Sequence, residues 1–296
     1  KKHDISEACL AKALLVLQGL KVPMVLNLIG NHELYNFSFD ELAEKLGTRR
    51  DGREFHAWVP APGVRLLALH SYELAVIGRD KSHPAYVAAM DILKAHNPND
   101  LENGCDFKAG LEGLDNRFVP YNGAFGKDQL LWFEEQLRAA QAQGEKIIAL
   151  SHTLLHPPLL RSDTDVPSTM AFDYEDFANA IAARPGVVLA VFAGHDHKGG
   201  YNCVDGVHHI TFQSPLNKGA EGFAFGRADI YRNRLEIRGV RLEDMLHETA
   251  LQHSKLLPEV LGEQGAAFHF PEGVMVGGAA DGATAERLRP QVIKTL

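Results

Sequence analysis

Apolar runs of strand length alternate along this chain with stretches of helical spacing, and three of the strand-like runs end at glycine or directly at a histidine. Asp4 or Ser6 starts a helix to about Gly19, with Ile5, Ala8, Ala11, Leu14, Leu15 and Leu17 as its core-facing stripe. It feeds a strand over Val22 to Ile29, so the pair reads as the second half of a β-α-β unit whose first strand is not in the chain. Phe55 to Val59 and Val64 to Leu69 are short strands around Pro60-Ala61-Pro62-Gly63. Pro84 to His96 is helical and breaks at Asn97-Pro98-Asn99, and Asp100 to Gly126 has little periodicity and reads as a long loop over one face. Lys127 to Gln143 is an amphipathic helix with Leu130, Leu131, Phe133, Leu137 and Ala140 inward and a stop at Gly144. It leads into the strand Lys146 to Leu150, and a helix over Tyr174 to Arg184 leads into the strand Val187 to Ala193. Val207 to Phe212, Phe223 to Tyr231 and Arg234 to Val240 follow as strands, the last two joined as a hairpin at Arg232-Asn233.

Near Glu243 the character changes to one helix, to Leu257, and a stretch over Gly273 to Ala285 rich in glycine and alanine. Residues 1–243 therefore read as one catalytic domain, and 244–296 as a C-terminal helix and tail. About eight strands with intervening helices make an α/β protein, equally compatible with a doubly wound sheet and with a layered sandwich.

Composition narrows the function classes. The 296 residues carry a net charge of −8, which argues against a nucleic-acid groove or an anionic membrane surface as partner. An acidic protein that handles phosphates needs positive charge locally, which bound metal ions supply. Cys9, Cys105 and Cys203 are few, scattered and odd in number, the usage of a reducing compartment, and a cytoplasmic location follows as the expectation. No apolar run reaches membrane-spanning length, and no motif calls for a protein partner.

The chemistry sits where the runs end. Val187 to Ala193 stops at Gly194 and delivers His195-Asp196-His197; Val22 to Ile29 stops at Gly30 and delivers Asn31-His32; Lys146 to Leu150 delivers Ser151-His152. Side chains two apart on extended backbone point the same way, so His195 and His197 can reach one ion or two neighbouring ions. With 15 histidines in the chain, about 0.7 His-x-His pairs arise by chance, so that pair alone decides nothing. Three successive strand ends with imidazole or amide groups do carry weight, because open α/β sheets build their sites just beyond the carboxyl ends of their strands.

Gly30-Asn31-His32-Glu33, Ser151-His152 and Gly194-His195-Asp196-His197, in that order, resemble the later motifs of the calcineurin-like metallophosphoesterases. The extended stretches Gly30 to Phe37, His96 to Asn99, Tyr121-Asn122-Gly123, Gln129 to Trp132 and Gly194 to Tyr201 are similar to the manganese-dependent ADP-ribose/CDP-alcohol diphosphatases, from Lys1 to about Val240. The resemblance implies a four-layer α/β/β/α sandwich and two divalent ions, Mn2+ first among them. It implies that Asn31, His152 and His195 ligate one ion, that His197 ligates the other, and that His32 protonates or electrostatically stabilises the leaving oxygen. Hydrolysis of the pyrophosphate bond in small nucleotides such as ADP-ribose and CDP-alcohols, by in-line attack of a metal-held hydroxide, is the implied reaction. Phosphomonoesters, phosphoproteins and cyclic nucleotides are the alternative substrates, and a non-catalytic scaffold of this fold is the alternative class. Tyr35 and Tyr201 follow the metal loops and are candidates to stack on a nucleobase, although an aromatic after a loop more often packs. Glu33 reads as a supporting carboxylate and Asp196 as pointing away from the ions.

The chain departs from that family in one respect. The early motifs, Asp-x-His or Asp-x-Gln and a Gly-Asp, supply the carboxylates that neutralise the ions, and none precedes Gly30 here. The expectation is a lost N-terminal segment, first strand included, and a chain that by itself binds at most one ion, weakly.

Overall fold

The computed structural model describes residues 2–158, 168–214, 216, 226–238, 259–260, 265–272 and 274–277. In chain order the elements are α1 (Lys2–Gln18), α2 (Asn31–Leu34), α3 (Phe39–Leu46), β1 (His56–Ala61), β2 (Val64–Ala68), β3 (Leu74–Ala75), α4 (Pro84–His96), β4 (Gly123–Ala124), α5 (Gly126–Gln143) and β5 (Lys146–Leu150). They continue with α6 (Tyr174–Ala182), β6 (Val188–Ala193), β7 (Gly200–Val204), β8 (Val207–Thr211), β9 (Arg227–Ile230), β10 (Arg234–Arg238), β11 (Glu259–Val260) and β12 (Gly265–His269).

The main sheet has six strands in the order β1-β2-β5-β6-β8-β7. Its centre is parallel through β2, β5, β6 and β8, and both edges are antiparallel. Alternation along each strand splits the apolar residues between two faces. On one face Leu67, Ile147, Ala149, Val191 and Ala193 pack against Phe133 and Leu137 of α5 and Phe177 and Ile181 of α6. On the other, Leu66, Ile148, Leu150, Phe192 and Ile210 pack against Leu235, Ile237, Ala266 and Phe268 of a second sheet, ordered β11-β12-β10-β9. A sheet, rather than more helices, on that second face makes this the sandwich and not a doubly wound sheet. Three of its four layers stand among the described residues. The helix expected over Glu243 to Leu257 lies outside them.

Three sequence expectations change, one of them in α5, where Leu131, expected inward, is 53% exposed. Val22 to Ile29 is not a strand: Leu26 and Leu28 pack against the core between the sheets and Ile29 is buried, yet no described residue offers this run a backbone ladder. An apolar pattern reports burial, whereas a strand also needs a hydrogen-bonding edge. In α1 the inward side is Leu10, Leu14 and Leu17, while Ile5 and Leu15 are 65% and 68% exposed, because apolar residues occupy more than one side of the helix. The second sheet draws strands from both sides of residue 243: β11 and β12 pair with each other and β12 pairs with β10. One further strand, β7, joins β8 through Asp205-Gly206, both at positive φ (51° and 80°), the conformation that a two-residue hairpin turn requires. Among the described residues no helix is long and apolar enough to cross a membrane.

Three histidines far from the strand-end motifs or facing away from them are enclosed in this core. Burial pushes the imidazoles of His70 and His209 down to about 3 and that of His208 down to about 4. The unfolded chain takes up these protons near pH 6.5 and the folded chain does not, so stability is full above about pH 6.5 and declines as pH falls toward the folded values. Each imidazole contributes a slope of up to about 1.4 kcal/mol per pH unit in that window. Urea midpoints between pH 7.5 and 5, a range above most carboxylate titration, are expected to drop steadily; a flat profile there would contradict the burial of neutral rings.

Candidate metal centre

The carboxyl ends of β5 and β6 lie side by side, and the ladder continues past them: Ser151 N–H donates to Phe192 O at 2.9 Å and Gly194 N–H to His152 O at 3.1 Å. His152 and His195 are thereby fixed to neighbouring strand ends. Beyond Gly194 the chain turns tightly, with Gly199 N–H on Asp196 O and Lys198 N–H on the Asp196 carboxylate (3.0 Å). His195 itself takes φ +64°, a left-handed conformation that costs a residue with a Cβ of order 1 kcal/mol or more and that clusters at functional sites.

The third arm comes from the loop before α2. Gly30 N–H donates to Glu33 Oε2 at 3.2 Å, so Glu33 caps its own helical turn. Asn31, on the first residue of that turn, gives its amide hydrogen to Tyr35 Oη (2.9 Å), which directs Oδ1 toward His152. Gly30 is needed for space: a Cβ there would lie 2.7 Å from His152 Cε1 and 2.8 Å from Glu33 Oε2. Gly30→Ala is therefore expected to displace the His152 ring and to weaken Mn2+ binding about tenfold or more, read by titration with electron paramagnetic resonance. An unchanged affinity would mean that the ring is not held against the loop.

Three donor atoms converge. His152 Nε2 is 3.1 Å from Asn31 Oδ1 and 3.2 Å from His195 Nδ1. Ligands about 2.1 Å from one ion and nearly perpendicular to one another stand roughly 3 Å apart. Burial pushes His152 down to about 3 and holds His195 well below the ordinary histidine range, so both rings are neutral and offer lone pairs at pH 7. Beside the trio, His32 and His197 stack at 5.2 Å between ring centroids. Desolvation and the neighbouring His197 lower the His32 pKa.

Among the described residues no three His, Cys, Asp or Glu side chains form a metal cage. The converging set is two imidazoles and one carboxamide, all neutral, which fits one divalent ion and supplies no bridging carboxylate for a second.

Two sequence candidates part company here. Tyr35 is half-exposed at the rim, its ring edge-on to His32 at 5.6 Å, and its hydroxyl orients Asn31. Tyr201 is not at the site: it is 2% exposed in the core between the sheets, its hydroxyl 2.9 Å from His208 Nδ1. On β7 its side chain takes the inner face, the packing role that an aromatic after a loop usually has. Sequence reasoning assigned no role to Asn122 or Tyr121. Asn122 Oδ1 lies 2.7 Å from His195 Nε2, and the Tyr121 ring is edge-on to His195 at 5.7 Å. Both lie in the aperiodic stretch before β4, where only the Tyr121-Asn122-Gly123 motif marks them.

No protein-family model matches the chain. Manganese-dependent ADP-ribose/CDP-alcohol diphosphatases do match it. The Arabidopsis thaliana protein of that name is 34% identical over 218 residues, 73% of this chain and 67% of the relative. The Homo sapiens protein is 32% identical over 255 residues, 80% of this chain and 71% of the relative. The chain belongs to this family. Its match spans about two thirds of the length of these relatives, 64% in the rice protein. The crystal structure of a dimetal phosphatase from Danio rerio superposes with a TM-score of 0.70 at 28% identity, covering 80% of this chain and 75% of that one. This family's fold, a metallophosphoesterase sandwich, is accordingly the fold described above.

Proposed function

We propose that this family member hydrolyses the pyrophosphate bond of nucleoside-diphosphate compounds such as ADP-ribose and CDP-alcohols, with Mn2+ as its metal. The observation that carries the reading is the convergence of Asn31 Oδ1, His152 Nε2 and His195 Nδ1 at the strand ends. These three atoms hold one ion, and His197 contributes to a second. When bound, the ions supply Lewis acidity and neutralise charge on the phosphates. The remaining work falls to the chain. His32 is exposed beside His197, where its ring N–H can reach the departing phosphate oxygen and donate a hydrogen bond or the proton itself. Tyr35, half-exposed next to His32, offers a ring edge to the nucleotide. The free Cys9, Cys105 and Cys203 support a reducing, cytoplasmic setting.

The test is a panel of ADP-ribose, CDP-choline and p-nitrophenyl phosphate, with and without Mn2+, on this chain and on the full reading frame that contains it. Expected is Mn2+-dependent release of a nucleoside monophosphate from the diphosphates, with the monoester far slower. Faster monoester cleavage, or hydrolysis indifferent to metal, would overturn the reading.

A further inference from the structure

Asn122 is fully enclosed, and all of its amide atoms are committed. Its Nδ2 donates to Arg117 O at 2.7 Å and to Ser168 O at 2.8 Å. Both partners are carbonyls, which only accept, so the amide has one orientation consistent with its surroundings. Oδ1 is then the atom facing His195 Nε2 at 2.7 Å. An amide oxygen also only accepts, so the hydrogen between them belongs to Nε2. A neutral imidazole carries a single N–H, which leaves Nδ1 bare, and Nδ1 is the atom that faces His152 Nε2 and the Asn31 side.

We infer that Asn122 is a positioning residue: it holds His195 as the Nε2–H tautomer, so that Nδ1 presents its lone pair to the ion shared with Asn31 and His152. The inference rests on the metal reading above for its purpose, but not for its geometry. Two further features suit it. His195 takes φ +64° two residues past the end of β6, and the hydrogen bond from Nε2 to Asn122 Oδ1 fixes the far edge of its ring. Tyr121, the residue before Asn122, confines the same ring edge-on. The loop over 100–126 thus acts on the metal centre without supplying a ligand to it.

Two variants separate this role from the packing role of the same side chain. Asn122→Ala and Asn122→Asp both lose the donors to Arg117 O and Ser168 O, but only the aspartate keeps an acceptor for His195. Long-range 15N–1H correlation of the metal-free protein reads the tautomer directly. Expected are a protonated Nε2 and a bare Nδ1 for His195 in the unmodified chain and in Asn122→Asp, and averaged, intermediate 15N shifts in Asn122→Ala. Mn2+ affinity is expected to fall about 10–100-fold in Asn122→Ala relative to Asn122→Asp. An Nδ1–H tautomer in the unmodified chain, or an unchanged Nε2–H tautomer in Asn122→Ala, overturns the inference. If neither the unmodified chain nor the full reading frame binds Mn2+, the metal reading falls separately, while the tautomer measurement still decides the part played by Asn122.

Discussion

His152→Ala is expected to lower kcat/KM for the diphosphate substrates about 10³-fold or more, the scale of losing several kcal/mol of metal-supplied stabilisation at about 1.4 kcal/mol per tenfold. The size follows from its central place. Nε2 of His152 is the one atom within about 3 Å of both other donors, at 3.1 Å from Asn31 Oδ1 and 3.2 Å from His195 Nδ1. Without it, one amide oxygen and one imidazole remain, both neutral, and they do not cancel an ion's cost of leaving water. The ring also packs on Gly30 and lies 5.9 Å from the ring of Tyr72, so alanine leaves a hole at the junction of three loops. His156→Ala is the matched control: its ring nitrogen lies beside Pro157 O and Asn202, outside the donor trio, and activity is expected to stay within a few-fold. Mn2+ binding by electron paramagnetic resonance should fall with activity in His152→Ala. Retained binding together with retained turnover would remove His152 from the centre.

The second large effect is on stability. Phe177 of α6 is fully buried, with Phe125 at 4.5 Å and Phe133 of α5 at 5.1 Å between ring centroids. Phe177→Ala is expected to cost about 3–5 kcal/mol, the lost transfer free energy plus the cavity that the two neighbouring rings cannot close. Against a total of about 5–15 kcal/mol that is a large share. Phe177→Leu, which keeps most of the volume, is expected to cost less than about 1.5 kcal/mol. Urea denaturation monitored by circular dichroism measures both; a loss below 1 kcal/mol for the alanine variant would mean that the aromatic cluster collapses around the gap. The site is coupled to this cluster. Asp173, at the entry to α6, accepts hydrogen bonds from Phe125 N–H (3.1 Å) and Gly126 N–H (2.9 Å), which ties α6 to the start of α5 and to the loop that carries Asn122.

Much of this architecture was legible in the residues. The helix α5 and the strands β5 and β6 show uninterrupted 3.6-residue or strand-length patterns, and glycine marks the ends of α5 and β6. The site's ligand candidates were legible too, because Asn or His just past the end of an apolar run is a pattern of residue types as well as of position. Tyr201 shows where this stops. It follows a motif loop, but β7 turns its side chain inward, and which face a strand residue takes depends on a register with β8 that no local pattern encodes. Asn122 shows the converse: in a stretch without period, nothing in its neighbours points to a histidine 73 residues away.

The sequence by itself determined the helices and strands around β5 and β6, the residue types that follow the apolar runs, and the family. Those depend on local periodicity and on short motifs, which are properties of neighbours in the chain. Only the tertiary structure decided that the layer opposite α5 and α6 is a second sheet, that Val22 to Ile29 runs without a ladder, and that Asn122 lies against His195 while Tyr201 packs in the core on His208. Each of these depends on contacts between residues far apart in sequence, set by which buried faces and hydrogen-bonding groups find one another when the chain closes its core.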